Sequence, residues 1–221
     1  DPGEASQANN GDIASHLPAS VKLIAVTKTK AIADIEAAYG AGIRDFAESR
    51  VQEALPKIDA LADLKDIRWH FIGRLQANKA RKVVEHFDWI HSVDQLSLAQ
   101  RLDRIARELA LAPNILLQVK LLPDDNKTGW TPTELRQDLP ALQTLNSLNI
   151  NGLMTILPLG LTPADRQAAF QATTDLAHQL TQDFGLNFAE LSMGMSQDYP
   201  QAIAAGTTMI RLGTVLFGDR G

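Results

Sequence analysis

The sequence predicts a single-domain α/β fold, a (β/α)8 TIM barrel of eight parallel strands with intervening helices, and three observations carry that prediction. From about Val21 onward, short apolar runs alternate with amphipathic stretches. Eight such runs can be counted, each apolar at consecutive positions, as strands covered on both faces must be. The chain has 221 residues, 45% hydrophobic and 21% charged, an ordinary globular composition at a length that α/β barrels fill as one domain. Eight repeats favour closure into a barrel over an open doubly wound sheet.

The elements follow in order. Asp1 to Gly11 is polar and lacks a secretory-signal pattern, so it reads as a disordered tail, and the barrel is expected over residues 12–221. Asp12–Leu17 reads as a short helix stopped by Pro18. The first strand, Val21–Val26, delivers Lys28 to the first loop. A helix over Ile32–Ala41 meets Gly42 where a left-handed cap is expected. Strands Ile43–Ala47 and Ile67–Ile72 flank a helix over Arg50–Leu64, and a helix over Asn78–Phe87 leads to strand Trp89–Val93.

In the helix expected over Leu96–Leu111, the residues Leu96, Ala99, Leu102, Ile105, Ala106 and Leu109 line one face. Strand Ile115–Leu121 follows. Thr131-Pro132-Thr133-Glu134 and Thr162-Pro163-Ala164-Asp165 each set a capping hydroxyl before a proline, opening helices over Thr133–Leu145 and Asp165–Phe184 around strand Ile150–Ile156. Gly185 and Gly206 close the last two helices, Asp165–Phe184 and Gln197–Ala205, with strands Phe188–Met193 and Met209–Gly213 completing the series. The chain leaves little room for a full eighth helix, so Asp12–Leu17 is expected to pack in its place.

Composition narrows the function. Without cysteine there is no disulfide framework, thiolate metal site or cysteine nucleophile, which fits a reducing compartment and makes the cytoplasm the expected location. A net charge of −5 argues against a dedicated binder of nucleic acid or anionic membrane. Lys79, Arg81 and Lys82, and Arg101, Arg104 and Arg107, read as solvated helix faces. No apolar run approaches the roughly 18 residues of a membrane span. His16, His86, His91 and His178 show no metal-ligand spacing, and no metal site is expected.

Chemistry collects where a barrel places it, at the carboxyl ends of the strands. Lys28 is an amine at the end of strand one, and a lysine made neutral by burial or cationic neighbours is the nucleophile of Schiff bases. A solvated loop lysine is the plainer alternative. Ser192-Met193-Gly194-Met195-Ser196 leaves strand seven, with Ser196 as an expected N-cap, Gly194 allowing close backbone approach, and first-turn amides free for an anion. Arg211-Leu212-Gly213-Thr214 adds a second small-residue turn after strand eight. Short βα turns use serine and glycine anyway, but two of them facing a lysine suggest pyridoxal 5'-phosphate (PLP), whose aldehyde needs the amine and whose ester needs the turns. Arg211 is the candidate partner of the ring nitrogen; as an arginine it would leave that nitrogen unprotonated. The alternative for Arg211 is a buried ion pair with a carboxylate such as Glu48.

The run His70-Phe71-Ile72-Gly73-Arg74-Leu75-Gln76-Ala77-Asn78-Lys79 resembles the signature of the YggS/PROSC family of PLP-binding proteins. Ala25-Val26-Thr27-Lys28-Thr29-Lys30, Ser192-Met193-Gly194-Met195-Ser196 and Ile210-Arg211-Leu212-Gly213-Thr214 match its other motifs in order, so the resemblance runs from about Val21 to Gly218. It implies a barrel like the N-terminal domain of alanine racemase, PLP fold type III, with the cofactor as a Schiff base on Lys28. Arg211 would then face the ring nitrogen, while Ser196, Gly213 and Thr214 hold the phosphate, with Met193 and Gly194 in the same turn. Phe46-Ala47-Glu48-Ser49 departs from the family's Phe-Gly-Glu-Asn, which puts Ser49 where the family has asparagine. His70, within the signature, is a further candidate beside the cofactor; a satisfied core histidine is the alternative. Lys79 and Lys127 are further amines on the expected cofactor side.

The resemblance implies a protein that holds PLP and keeps vitamin B6 and amino-acid pools in balance without turnover, with apo PLP-dependent enzymes as possible partners. A two-base racemase needs an acid/base opposite Lys28; the tyrosines here, Tyr39 and Tyr199, are both on expected helices. A small fold-type III enzyme such as an amino-acid racemase is the alternative, and a cofactor-free phosphosugar enzyme a third reading. With no need for a site completed by another subunit, a monomer is expected.

Overall fold

The computed structural model describes residues 12–218, so the tail expected over residues 1–11 lies outside the described residues. Strands β1 (Lys22–Val26), β2 (Asp45–Glu48), β3 (Arg68–Phe71), β4 (Trp89–Val93), β5 (Asn114–Gln118), β6 (Asn149–Met154), β7 (Glu190–Ser192) and β8 (Met209–Leu212) form a closed barrel in chain order. All neighbours are parallel, and β8 closes on β1 with Ile24 beside Arg211. The expected strands are all present, with ends within three residues of the predicted ones.

Helices α1 (residues 12–16), α2 (Ile32–Gly40), α3 (Val51–Ala60), α4 (Ala80–His86), α5 (Leu96–Leu109), α6 (Pro132–Leu142), α7 (Pro163–Phe184), α8 (Tyr199–Ala204) and α9 (Thr214–Phe217) surround the barrel. Local chemistry sets their ends. Thr131 and Thr162 accept the amides of Glu134 and Asp165, capping α6 and α7 ahead of their prolines. Ala110, at φ 54°, ends α5 two residues before the expected Leu111. The helix expected from Asn78 starts as a 3-10 turn, Ala77–Lys79, before α4. Leu216 and Phe217 of α9, and Ile13 and Leu17 at the other end of the chain, pack on the outer apolar layer.

Two apolar layers result from the period-two alternation of strand side chains. Ala25, Phe46, Ile90 and Leu117 point outward to the helices, while Ile24, Val26, Ala47, Leu116, Met154 and Met209 fill the interior. The interior is not wholly apolar. Asp45, His70, His91, Ser192 and Arg211 are buried on strands β2, β3, β4, β7 and β8.

Candidate functional site

At the carboxyl ends of the strands lies a cavity of about 410 Å³, within the usual size for a small-molecule site. Lys28, Thr29 and Lys30 reach it from β1, Ser49 from β2, Ile72 from β3, Lys127 from the loop after β5, Ile156 and Pro158 from β6, Met195 to Asp198 from β7, and Arg211, Gly213 and Thr214 from β8. Six of the residues expected at a cofactor therefore line one space: Lys28, Ser49, Ser196, Arg211, Gly213 and Thr214.

The backbone on either side of Lys28 is pinned. Thr27 donates its amide and its hydroxyl to Ala47 O, at 3.0 and 3.2 Å, while its own carbonyl accepts Lys57 Nζ at 2.8 Å. Thr29 takes a left-handed φ of 65° and donates its amide to Glu53. Beneath this loop Lys57 is ion-paired with Glu48 at 2.6 Å and with Glu53 at 3.1 Å. Burial pushes the Glu48 carboxyl up to about 7, against the pull of Lys57. Glu48 is thus the partner of Lys57, not of Arg211.

Arg211 ends a chain of hydrogen bonds that crosses the barrel interior. Its Nη1 donates to Ser192 Oγ and its Nη2 to Thr155 O, at 3.2 Å for the latter. Ser192 Oγ lies 2.8 Å from His91 Nδ1, His91 Nε2 lies 2.8 Å from His70 Nδ1, and His70 Nε2 lies 2.8 Å from Asp45 Oδ1. Arg68 closes the far end with two 2.9 Å bonds to Asp45. Proton positions follow from the two ends. Burial alone would raise the Asp45 carboxyl, but bonds from His70 and Arg68 hold it well below the usual carboxylate range, so it accepts only. Burial holds both histidines below their ordinary value and hence neutral at pH 7. Each imidazole then carries its proton on Nε2, and donation runs in one direction from Arg211 through Ser192, His91 and His70 to Asp45. Burial lowers Arg211 to about 10, which leaves it a cation at neutral pH.

The loops after β7 and β8 meet at Ser196, whose Oγ accepts the amides of Gly213 and Val215, both at a long 3.4 Å. Ser196 is not the expected N-cap: α8 starts at Tyr199, two residues later than predicted, with Asp198 at the cap and Pro200 in the first turn. Asp198 Oδ1 accepts the Met195 amide at 2.8 Å, so a carboxylate occupies the position assigned to the serine. Three other expected residues lie outside the cavity lining. His70 is wholly buried in the interior chain, Met193 points outward into the apolar layer, and Gly194 supports β8 by accepting Arg211 N at 2.9 Å. Gly194 has φ 105°, and a Cβ there would stand 2.8 Å from that of Ala202, so the turn needs glycine for packing.

From the sequence alone Asp45 has no role, His91 stands only as lacking metal-ligand spacing, and Ser192 only as the first residue of the turn after strand seven. Their signal was present as polar residues inside otherwise apolar strands, at positions sharing the inward alternation. Lys30, Arg166 and Asp198 also line the cavity. Among the described residues no group of three or more histidine, cysteine or acidic side chains could hold a metal, and no helix is long and apolar enough to cross a membrane.

The sequence model of the family "Alanine racemase, N-terminal domain" matches residues 3–221. The pyridoxal phosphate homeostasis protein of Synechocystis is 69% identical over 209 residues, covering 95% of this chain and 96% of its own. The protein of that name from Pseudomonas aeruginosa is 44% identical over 218 residues, covering 98% and 90%. Among solved structures, PipY of Synechococcus elongatus with PLP bound gives a TM-score of 0.93 at 54% identity, over 96% of this chain and 100% of that one. A closed eight-strand barrel joined to relatives this similar over nearly their full lengths settles the lineage: the chain belongs to the pyridoxal phosphate homeostasis (YggS/PROSC) family, within the alanine racemase N-terminal fold.

Proposed function

We propose that the chain binds PLP in the Lys28 cavity and holds it for intracellular vitamin B6 and amino-acid homeostasis, without catalytic turnover. The observation that carries this reading is the shared cavity itself. A lysine amine, a buried arginine fixed by Ser192, and Ser196 with Gly213 and Thr214 match the three parts of the cofactor, its aldehyde, ring nitrogen and ester phosphate. Bound PLP supplies an aldehyde that condenses with an amine and a ring that withdraws electrons. Lys28 would be that amine. Arg211, protonated and a donor only, would orient the ring nitrogen without giving it a proton, which favours retention over carbanion chemistry.

The lining also supports holding over turnover. It contains no tyrosine or histidine, and Asp198 is its one carboxylate among the described residues. Tyr39 is committed elsewhere, donating to Asp66 at 2.6 Å. The reading is completed by a monomer acting in the cytoplasm and passing PLP to apo-enzymes. Lys127, which reaches the cavity, is the observation that favours a small racemase instead, since an amine there offers a second base.

The deciding experiment is an absorption spectrum of the purified protein, borohydride reduction and peptide mapping. A reduced adduct on Lys28, lost in Lys28→Ala, is the expected result. Mapping to Lys30 or Lys127, or no adduct even with added PLP, overturns it. Racemisation of any amino acid in a broad panel, abolished by Lys28→Ala, replaces the carrier reading with the enzyme one.

A further inference from the structure

Of the signature loop after β3, only Ile72 reaches the Lys28 cavity. The loop walls a second one, of about 400 Å³, on the other side of Ser49, which lines both. Arg50, at the start of α3, and Arg74 and Lys79, from the loop, line it together, and no acidic residue does. In a chain of net charge −5 that is an unusual grouping. Among the described residues Arg50, Arg74 and Lys79 enter no ion pair, a state they share with Arg101, Arg104 and Arg166. Glu53 feels the charge of Arg50, but its Oε1 already accepts the Thr29 amide and Lys57.

The pocket is built rather than incidental. Gly73 packs so tightly on the Ser49 backbone that a Cβ would fall 2.1 Å from Ser49 O, which makes the shared wall a close contact of two main chains. Ser92 anchors the loop by donating to Gly73 O at 2.5 Å. Buried Phe71, Leu75 and Val51 give the cavity an apolar side. The first backbone bond of α3 is Ala54 N to Arg50 O, and the Arg50 side chain makes no cap, so the preceding amides add donors at the same mouth.

We propose that this second cavity binds a small phosphomonoester, its dianion held by Arg74, Lys79 and Arg50 and its organic body against Phe71 and Leu75. Two guanidinium forks and an ammonium suit a phosphate, and the apolar side gives an organic body something to pack on. The site is separate from the one assigned to PLP. Its consequence rests on that assignment: a second phosphorylated ligand would sit across Ser49 from the Lys28 cavity.

The test uses protein loaded with PLP and reduced with borohydride, so that the Lys28 cavity is permanently filled. Pyridoxine 5'-phosphate, which has no aldehyde, and inorganic phosphate are then titrated by calorimetry. The expected result is one equivalent of pyridoxine 5'-phosphate bound, more tightly than phosphate, with affinity reduced by about tenfold or more in Arg74→Gln/Lys79→Gln, since two charge-assisted contacts are removed. The double variant should keep its reduced adduct and its melting temperature. No binding to the reduced protein, or equal binding by the double variant, overturns the proposal. If no adduct forms at all, the Lys28 reading fails on its own. The second cavity is then judged on untreated protein by whether the double variant loses affinity while Ser196→Ala does not.

Discussion

Asp45 Oδ1 and His70 Nε2 stand 2.8 Å apart inside the barrel, and this contact sets the direction of every hydrogen bond between there and Arg211. An ionised carboxylate can only accept, so His70 must present a proton to it, and each following group inherits its orientation. The guanidinium at the cavity is aimed by a carboxylate that enters the interior at the start of β2.

Asp45→Asn should remove that direction, because an amide both donates and accepts. Asp45 is held below the ordinary carboxyl value of 3.8, so its contribution to stability is present above that value and lost as pH falls through its lower folded value. The parent should therefore weaken steadily in acid below about pH 4, and Asp45→Asn should be less stable at pH 7 but lose less on acidification. Urea unfolding at pH 3 and pH 7 checks both; parallel losses in parent and variant would refute the argument.

Ser192→Ala leaves the Arg211 guanidinium with Thr155 O alone and His91 Nδ1 without a donor. A loss of about 1–3 kcal/mol is expected for stranding buried polar groups, with faster release of PLP. Denaturant unfolding and the rate of PLP transfer to an apo-enzyme measure the two effects.

Glu48 gives the opposite pH dependence. Its folded value is raised from 4.5 to about 7, so the folded state holds a proton that the unfolded state has released, and stability falls as pH rises across that window. Glu48→Gln should flatten the stability profile between those limits, while Glu53 and Thr27 O still hold Lys57. Melting temperatures across pH 5 to 8 show whether it does.

Gly194→Ala should cost about 1–3 kcal/mol, since the residue must keep φ 105° and its Cβ meets Ala202. The bond from Arg211 N to Gly194 O ties this turn to β8, so PLP retention should fall with stability. Thermal melts with and without PLP report both.

The barrel was legible because its strands announce themselves as apolar runs and its helices by cap chemistry local in sequence. The misreadings share a cause in contacts made over distance. Hydrophobicity extends strand β5 to Leu121, but its ladder ends at Gln118 and Val119 bridges instead to Trp130. Ser196 and Asp198 are both good capping residues, and Pro200 in the first turn favours a start at Tyr199. For His70 the structure takes the core alternative over the cofactor one, and only barrel closure reveals that His70 and His91 bond each other and bridge Asp45 to Ser192.

The pairing of Ile24 with Arg211 joins the first strand to the last. Such a contact closes a loop of nearly the whole chain, the entropically most expensive step in assembling the sheet, and it is expected late in folding. Lys28 and Arg211 come within reach of one small molecule only when that seam has formed. A nascent or half-folded polypeptide would thus display Lys28 without its opposing guanidinium, and capture of a ligand across the seam would favour the finished molecule over every earlier one.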